Sequence, residues 1–184
     1  MISSSVAPAQ AADTGKALAA VGRIHSIVIS ASKASGNQKI ALITATLDRY
    51  MDIERLAAKV TGQAWQQATA AERNDFKRVL RDVFALELAR RIKPNDGFSV
   101  TGAKTLSDGG VVVLSRLGRP GETEKRLDWK MHPCGSTYCI YDLVSNGASL
   151  SVARRDDYAP RLQSANGSLA ALTRSLRAEL DAKQ

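Results

Sequence analysis

At Pro94-Asn95-Asp96-Gly97 the hydrophobic period of this sequence changes, and that change limits the folds open to it. Upstream, in Ala70–Ile92, the residues Phe76, Val79, Leu80, Val83, Phe84, Leu88 and Ile92 recur at three- and four-residue steps. That spacing predicts a long helix with one apolar face. Thr69 and Glu72 stand at capping-box distance, where side chain and backbone satisfy each other's orphan amide hydrogens. Arg73, Lys77 and Arg81 share another face, and Asp82 is within one turn of Arg78. Proline has no amide hydrogen with which to continue a helix, and Asn-Asp-Gly is turn chemistry, so the element ends there.

Downstream the pattern is extended. Phe98–Lys104 reads as a weak strand and Ser107-Asp108-Gly109-Gly110 as a turn. Val111–Leu117 is rich in β-branched residues, and Arg119-Pro120-Gly121-Glu122 is a second turn. In Thr123–Met131, Leu127, Trp129 and Met131 alternate with Arg126, Asp128 and Lys130, and Tyr138–Val144 supplies a fourth strand. Connections this short predict an antiparallel meander.

Helical signal brackets the strands. Leu18, Val21, Ile24 and Val28 mark a helix over Lys16–Ser30; Gly36-Asn37 breaks it; Ile40, Ile43 and Leu47 mark a second over Gln38–Leu47. A third covers Ile53–Val60 and stops near Gly62, with Trp65 beyond it in a polar setting. After the strands, Asp156 or Asp157 is placed to cap a segment holding Tyr158 and Leu162, with Pro160 in its first turn. Asn166-Gly167-Ser168 restarts the chain into a final helix carrying Leu169, Leu172, Leu176 and Leu180. The order is helices, four strands, helices, which predicts an α+β fold with a four-stranded antiparallel sheet packed against several helices, as one domain over residues 15–182.

The chemistry on offer is sparse. The 184 residues include two His and two Cys, and no GxSxG elbow, HExxH helix, Walker A loop or Rossmann glycine fingerprint. His25 and His132 are more than a hundred positions apart; Asp52 with Glu54, and Asp156 with Asp157, form no acid/base constellation on spacing alone. Asp142 reads as a structural carboxylate facing a basic group or donor at the sheet edge. No catalytic residue, metal site or cofactor is expected. Lys plus Arg total 26 against 18 Asp plus Glu, a net charge of +8 that favours anionic partners. Aromatic residues are only 5% and do not alternate with the basic ones, so the stacking platform of a nucleic-acid binder is missing.

The opening MISSSVAPAQAAD lacks the basic and leucine-rich regions of a complete secretory signal. Ala7-Pro8-Ala9-Gln10-Ala11 has the small-residue character of the end of one, with cleavage after Ala9, Ala11 or Ala12; residues 1–14 are therefore either a residual signal-peptide end or a disordered terminus. Export would permit a disulfide. Cys134 and Cys139 enclose Gly135-Ser136-Thr137-Tyr138 between two strand-like runs, a spacing suited to a hairpin-closing disulfide, with two buried free thiols as the alternative.

The long helix can bring Phe76, Leu80, Val83, Phe84 and Leu88 to one surface, and the sheet can bring Val111, Val113, Leu127, Trp129 and Met131 toward it. Layers that meet fully make a core; layers that curve apart enclose an apolar ligand cavity. Both outcomes are open on the pattern alone.

Between Leu47 and Phe84, Tyr50 and Asp52, Gly62 and Trp65, Thr69, Glu72-Arg73 and Phe76 follow one another in a characteristic order. In that order the chain resembles the MlaC, or toluene-tolerance auxiliary, family of periplasmic phospholipid-binding proteins. Trp129, Tyr141, Asp142, Gly147, Ser149 and Leu150 carry a second half of the resemblance, and Tyr158, Leu162, Gly167, Leu169 and Leu172 fit the C-terminal pattern. Met51 separates Tyr50 from Asp52 where the family often has an adjacent aromatic-Asp pair, and Leu86-Glu87-Leu88-Ala89 stands where a tyrosine is common. The cysteine pair is not a general family feature.

The resemblance implies a non-catalytic lipid carrier in the periplasm. Such a carrier holds phospholipid acyl chains in an apolar cavity between helices and sheet, with the phosphate head more exposed. It implies exchange with an inner-membrane ABC transporter substrate-binding component and an outer-membrane lipoprotein complex, by a monomer that binds no nucleic acid. The lining expected on this basis is Leu80, Val83, Phe84, Leu88, Val111, Val113, Leu127, Trp129 and Ile140, with Arg90, Arg91 and Lys125 as head-group or partner contacts. A hopanoid-related lipid carrier and a non-catalytic envelope interaction protein are the alternatives.

Overall fold

The computed structural model describes residues 12–183 apart from Asn95 and Pro120. The segment read as the end of a signal peptide lies, up to residue 11, outside the described residues, as does one residue of each of the turns Pro94–Gly97 and Arg119–Glu122.

Two helices open the chain. α1, Thr14–Lys33, is capped by the Asp13 side chain, which accepts from the Lys16 N–H, and buries Ala17, Ala20, Val21 and Ile24. The break falls at Ala34-Ser35, and Gly36 is already the first residue of α2, Gly36–Tyr50; its φ of +51° admits glycine without strain and turns the chain between the two helices. α3, Ile53–Thr61, starts on an Asp52 cap and stops at Gly62. Trp65, read from the sequence as standing in a polar setting, sits in a short helix, α4, Gln63–Gln67, and is buried. α5, Ala70–Arg91, carries the full Thr69–Glu72 capping box. On its outer face the ion pairs differ from the sequence expectation: Arg78 meets Asp75, while Asp82 meets the neighbouring Arg81.

The sheet is antiparallel in the order β1-β2-β3-β4-β5 and has five strands rather than four. Its members are β1 (Gly97–Thr105), β2 (Val111–Gly118), β3 (Lys125–Cys134), β4 (Thr137–Ser145) and β5 (Ala148–Ser149). The extra strand is two residues long and folds back over Asn146-Gly147, both at positive φ, which is the hairpin turn an Asn-Gly pair favours. Asn146 is also stitched to β3: its N–H donates to the Arg126 carbonyl and its Oδ1 accepts from the Arg126 N–H. At the opposite end of β3–β4 the Cys134–Cys139 disulfide closes the hairpin, with Cα atoms 5.7 Å apart.

α6, Leu150–Ser164, begins directly after β5, capped by Ser149 and not by Asp156 or Asp157. Pro160 therefore lies inside the helix and not in its first turn. An interior proline costs about 3 kcal/mol; the helix persists across it because Tyr158 and Leu162, on either side, are buried. α7, Leu169–Asp181, starts on the Ser168 side chain and buries Leu169, Leu172, Leu176 and Leu180.

The apolar interior forms two clusters. One is helical and holds the inner faces of α2 to α7 with a residue of α1, Ala31. The other joins α1 and Tyr50 to the inner face of β2, β3 and β4. Val28 of α1 packs against both. The sheet is thus covered chiefly by α1, while α5 packs on α2, α3 and α7. No described helix is long and apolar enough to cross a membrane.

Candidate lipid site

On the sheet side, strand register sets the expected lining residues in rows. Val111, Met131 and Ile140 lie across from one another, as do Val113, Trp129 and Leu143, and Ser115 and Leu127 form the next row. Val111, Val113, Trp129 and Ile140 are buried and Leu127 partly so. The Trp129 indole N–H donates to Ser115 Oγ (2.9 Å), and the Ser115 hydroxyl donates to the Leu127 carbonyl (2.8 Å). The one polar atom of this aromatic ring is therefore satisfied within the sheet, leaving the rest of the ring apolar. Phe98, entering β1, meets Trp129 edge-on at 6.1 Å between centroids, and His25 of α1 stacks on Phe98 at 4.4 Å.

On the helix side, Leu80 and Phe84 belong to the helical cluster and Val83 packs at its rim. Leu88 points outward and is 36% exposed, because over the last turns of α5 the buried face passes to Ala85, Ala89 and Ile92. The Arg154 guanidinium of α6 lies over the Phe84 ring at 5.3 Å and is ion-paired with Glu87. Of the nine expected lining residues, Val111, Val113, Leu127, Trp129 and Ile140 fall in the sheet cluster and Leu80, Val83 and Phe84 in the helical one, while Leu88 belongs to neither. The sequence reading missed the element between them. α1 supplies Ile24, Ile27 and Val28 to the space it paired with α5, and the Ala17/Ala20 spacing is the signal that α1 approaches a flat surface closely.

Two cavities lie among the helices, neither of them between helices and sheet. One, of about 280 Å³, lies between α3, α4 and α6 and contains none of the expected lining residues. The other, of about 220 Å³, lies between α5, α6 and α7 and includes Val83 and Arg90.

Of the three expected head-group residues, Lys125 and the backbone of Arg91 lie at one end of the sheet. Lys125 pairs with Leu117, at the end of the sheet where β1 begins. Arg119 ties that end to α5: its guanidinium donates to the Arg91 carbonyl (2.8 Å) and pairs with Asp96, which holds the Asp96 carboxyl below the usual carboxylate range. Arg90 points elsewhere, donating to the Lys183 carbonyl beyond α7 (2.8 Å).

Asp142, at 2% exposure, is the most deeply buried carboxylate of the strands. Its Oδ1 accepts from the Ser151 N–H (3.0 Å) and its Oδ2 from the Ser149 hydroxyl (2.8 Å), with Lys59 Nζ at 3.5 Å and Lys130 Nζ at 3.9 Å. Burial alone would push the carboxyl up; the Ser151 and Ser149 hydrogen bonds and the Lys59 charge outweigh it and hold it below its ordinary value. The role is structural: Asp142 fixes the first turn of α6 to β4.

One acid–histidine contact exists. His132, in β3 opposite Cys139, places Nε2 2.8 Å from Asp52 Oδ2. The approach lacks hydrogen-bond alignment. Asp52 meanwhile caps α3 through the Arg55 N–H, and Arg55 stacks over Tyr141 at 4.2 Å. The pair holds helix to sheet. Among the described residues no group of three or more His, Cys, Asp or Glu could hold a metal ion.

A family model described as MlaC protein matches residues 20–178. A search of curated proteins finds no match. Among solved structures the chain is similar to the phospholipid-binding protein from Ralstonia solanacearum, solved in complex with a phospholipid. That likeness has a TM-score of 0.72 at 24% identity, covering 91% of this chain and 98% of the other. With the family match running from α1 to α7, the chain belongs to the MlaC family of non-catalytic periplasmic lipid carriers.

Proposed function

We propose that this protein carries a diacyl phospholipid through the periplasm, its acyl chains held between the helical and sheet clusters. The observation that carries the reading is the division of the apolar interior into two clusters joined through α1. A domain of this size ordinarily has one contiguous core. An interior that parts into a sheet half and a helix half can admit hydrocarbon between them without exposing either to water. The Ralstonia solanacearum protein, similar in fold, was solved with a phospholipid.

In this reading Val111, Val113, Leu127, Trp129 and Ile140 face the chains from the sheet. Leu80, Val83 and Phe84 face them from α5, Leu88 stands at the outer margin, and α1 forms the movable wall. Arg91 and Lys125 attract the phosphate, and Arg90 serves a partner contact beside α7. Each buried CH₂ contributes roughly 0.8 kcal/mol, so two full acyl chains would leave unaided only very slowly. Release therefore needs a protein that accepts the chains. The partners proposed are an inner-membrane ABC transporter substrate-binding component and an outer-membrane lipoprotein complex, each engaging a monomer.

Native mass spectrometry before and after chloroform–methanol extraction tests the proposal. Protein purified without detergent is expected to carry one phospholipid mass and to regain it from vesicles. A chain that carries no lipid and takes none from vesicles refutes the reading; a bound polycyclic mass would replace the phospholipid by a hopanoid-like cargo.

A further inference from the structure

Three buried side-chain atoms lack a hydrogen-bond partner among the described residues: His25 Nε2, His132 Nε2 and Tyr158 Oη. His132 has the Asp52 carboxylate beside it, and Tyr158 is wholly enclosed in the helical cluster. His25 differs from both. The residue is half-buried, yet its Nε2 is sealed from water with nothing to bond. A buried donor or acceptor left unpaired is costly, and native structures rarely keep one without a use.

The position of His25 suggests the use. It follows Val21 by one turn, on the stripe of α1 that covers the sheet. Its ring stacks on Phe98 with 23° between planes, and Phe98 in turn abuts Trp129. Phe98 pairs with Leu117, which also pairs with Lys125, and the residues just before β1 are bound to Arg119, the side chain that holds the Arg91 carbonyl. Through Phe98, His25 therefore adjoins both the basic end of the sheet and the aromatic floor at Trp129. A phospholipid has a matching order of groups: phosphate, then ester carbonyls, then hydrocarbon. The ester carbonyls are its last acceptors before the chains.

We propose that His25 is a specificity residue that reads the ester linkage of the cargo, its Nε2–H donating to a glycerol-ester carbonyl of a diacyl phospholipid. The inference rests on the carrier reading above and adds to it a polar contact inside an otherwise apolar site. A net hydrogen bond of ordinary strength corresponds to about five-fold in affinity. An ether-linked lipid of the same head group and chain length lacks the carbonyl and should lose that factor.

The test is competition. Delipidated full-length protein is incubated with mixed vesicles of a diester phosphatidylglycerol and its diether analogue, and the bound ratio is read by native mass spectrometry. Wild type should take the diester over the diether by about five-fold. His25→Phe, which can keep the stack on Phe98, should fill to the same total occupancy and take both equally. His25→Gln, which restores a donor, should recover part of the preference. Equal uptake of the two lipids by wild type overturns the inference and leaves the carrier reading intact, and it does so whether or not the Phe variant folds. A diester preference that survives in His25→Phe also overturns it. Failure of wild type to bind either lipid overturns the carrier reading, and the inference with it.

Discussion

Replacing Asp142 should loosen the joint between β4 and α6, and the contacts set the size of the effect. Asp142→Ala removes the acceptor of the Ser151 N–H, on a residue with 0% exposure, and the acceptor of the Ser149 hydroxyl. Hydrogen bonds to a charged group contribute about 1.5–3 kcal/mol each, and the Ser151 N–H has no water to turn to. Lys59 and Lys130 add little, because their side chains are 45% and 38% exposed and can be rehydrated. Against these losses stands the relief of no longer burying a carboxylate. The balance is a destabilisation of about 3 kcal/mol for Asp142→Ala. Asp142→Asn keeps one acceptor for Ser151 and should cost about half as much.

Urea unfolding followed by circular dichroism measures this directly, with an expected fall in midpoint of about 1–2 M for the alanine variant. The pH dependence provides a second, independent reading. The carboxyl is held below its ordinary value, so its contribution is complete above the unfolded carboxylate range near about 3.9 and is lost as pH falls through the lower folded value. The gap between wild type and Asp142→Asn should be flat from pH 8 to 5 and shrink only below about 4. An alanine variant as stable as wild type, or a gap that closes between pH 8 and 5, would refute the account of Asp142 as a charge-assisted clamp on α6.

Other contacts lend themselves to the same treatment. The Cys134–Cys139 bond spans a sequence separation of 5, a loop for which the chain-entropy estimate is about 2 kcal/mol. The Cys134→Ser/Cys139→Ser variant should therefore melt about 4–8 °C lower, and reductant should move wild type by the same amount. Thr69→Ala breaks the capping box of α5 and should cost about 1 kcal/mol in urea unfolding, without changing bound lipid. Charge reversal at the basic end of the sheet, Arg91→Glu with Lys125→Glu, should weaken capture of anionic phospholipid from vesicles by about five- to ten-fold at low salt and by less at high salt. Unchanged capture would remove these two residues from the head-group site.

The elements most legible in the sequence were those whose signals are local. The capping box, the apolar spacing of α5 and the Asp-Gly turn chemistry at its end act within a few residues, and α5, β2 and the β3–β4 hairpin formed within two or three residues of where they were read. β5 carried a local signal too, the Asn146-Gly147 pair, but a two-residue strand has no alternation by which to recognise it. The start of α6 was misread because Asp156 and Asp157 are good caps in isolation. Ser149 has the stronger position: its hydroxyl both caps the helix and binds Asp142, a partner brought in by β4. The candidate site was legible as two sets of apolar residues but not as an assembly. Periodicity says that Leu80 and Phe84 are buried; it does not say against what.

The element that covers the sheet can be tested through the smallest residues involved. Leu, Val and Phe on α5 made it the stronger candidate by hydrophobicity, yet α1 covers the sheet, with Ala17 and Ala20 both at 0% exposure in the sheet cluster. Alanine on a helix face allows its backbone close to a β-surface, where a larger side chain would hold the two apart. Ala20→Leu should therefore overpack the α1–sheet contact and cost about 1–3 kcal/mol, despite raising hydrophobicity. Ala41→Leu, on the exposed face of α2, adds the same atoms in water and should stay within about 0.5 kcal/mol of wild type. The pair isolates packing from composition. If α5 rather than α1 lay on the sheet, Ala20 would be free to grow and the two variants would unfold at the same urea concentration; if α1 is the wall of the lipid site, Ala20→Leu should also lower phospholipid retention while Ala41→Leu leaves it unchanged.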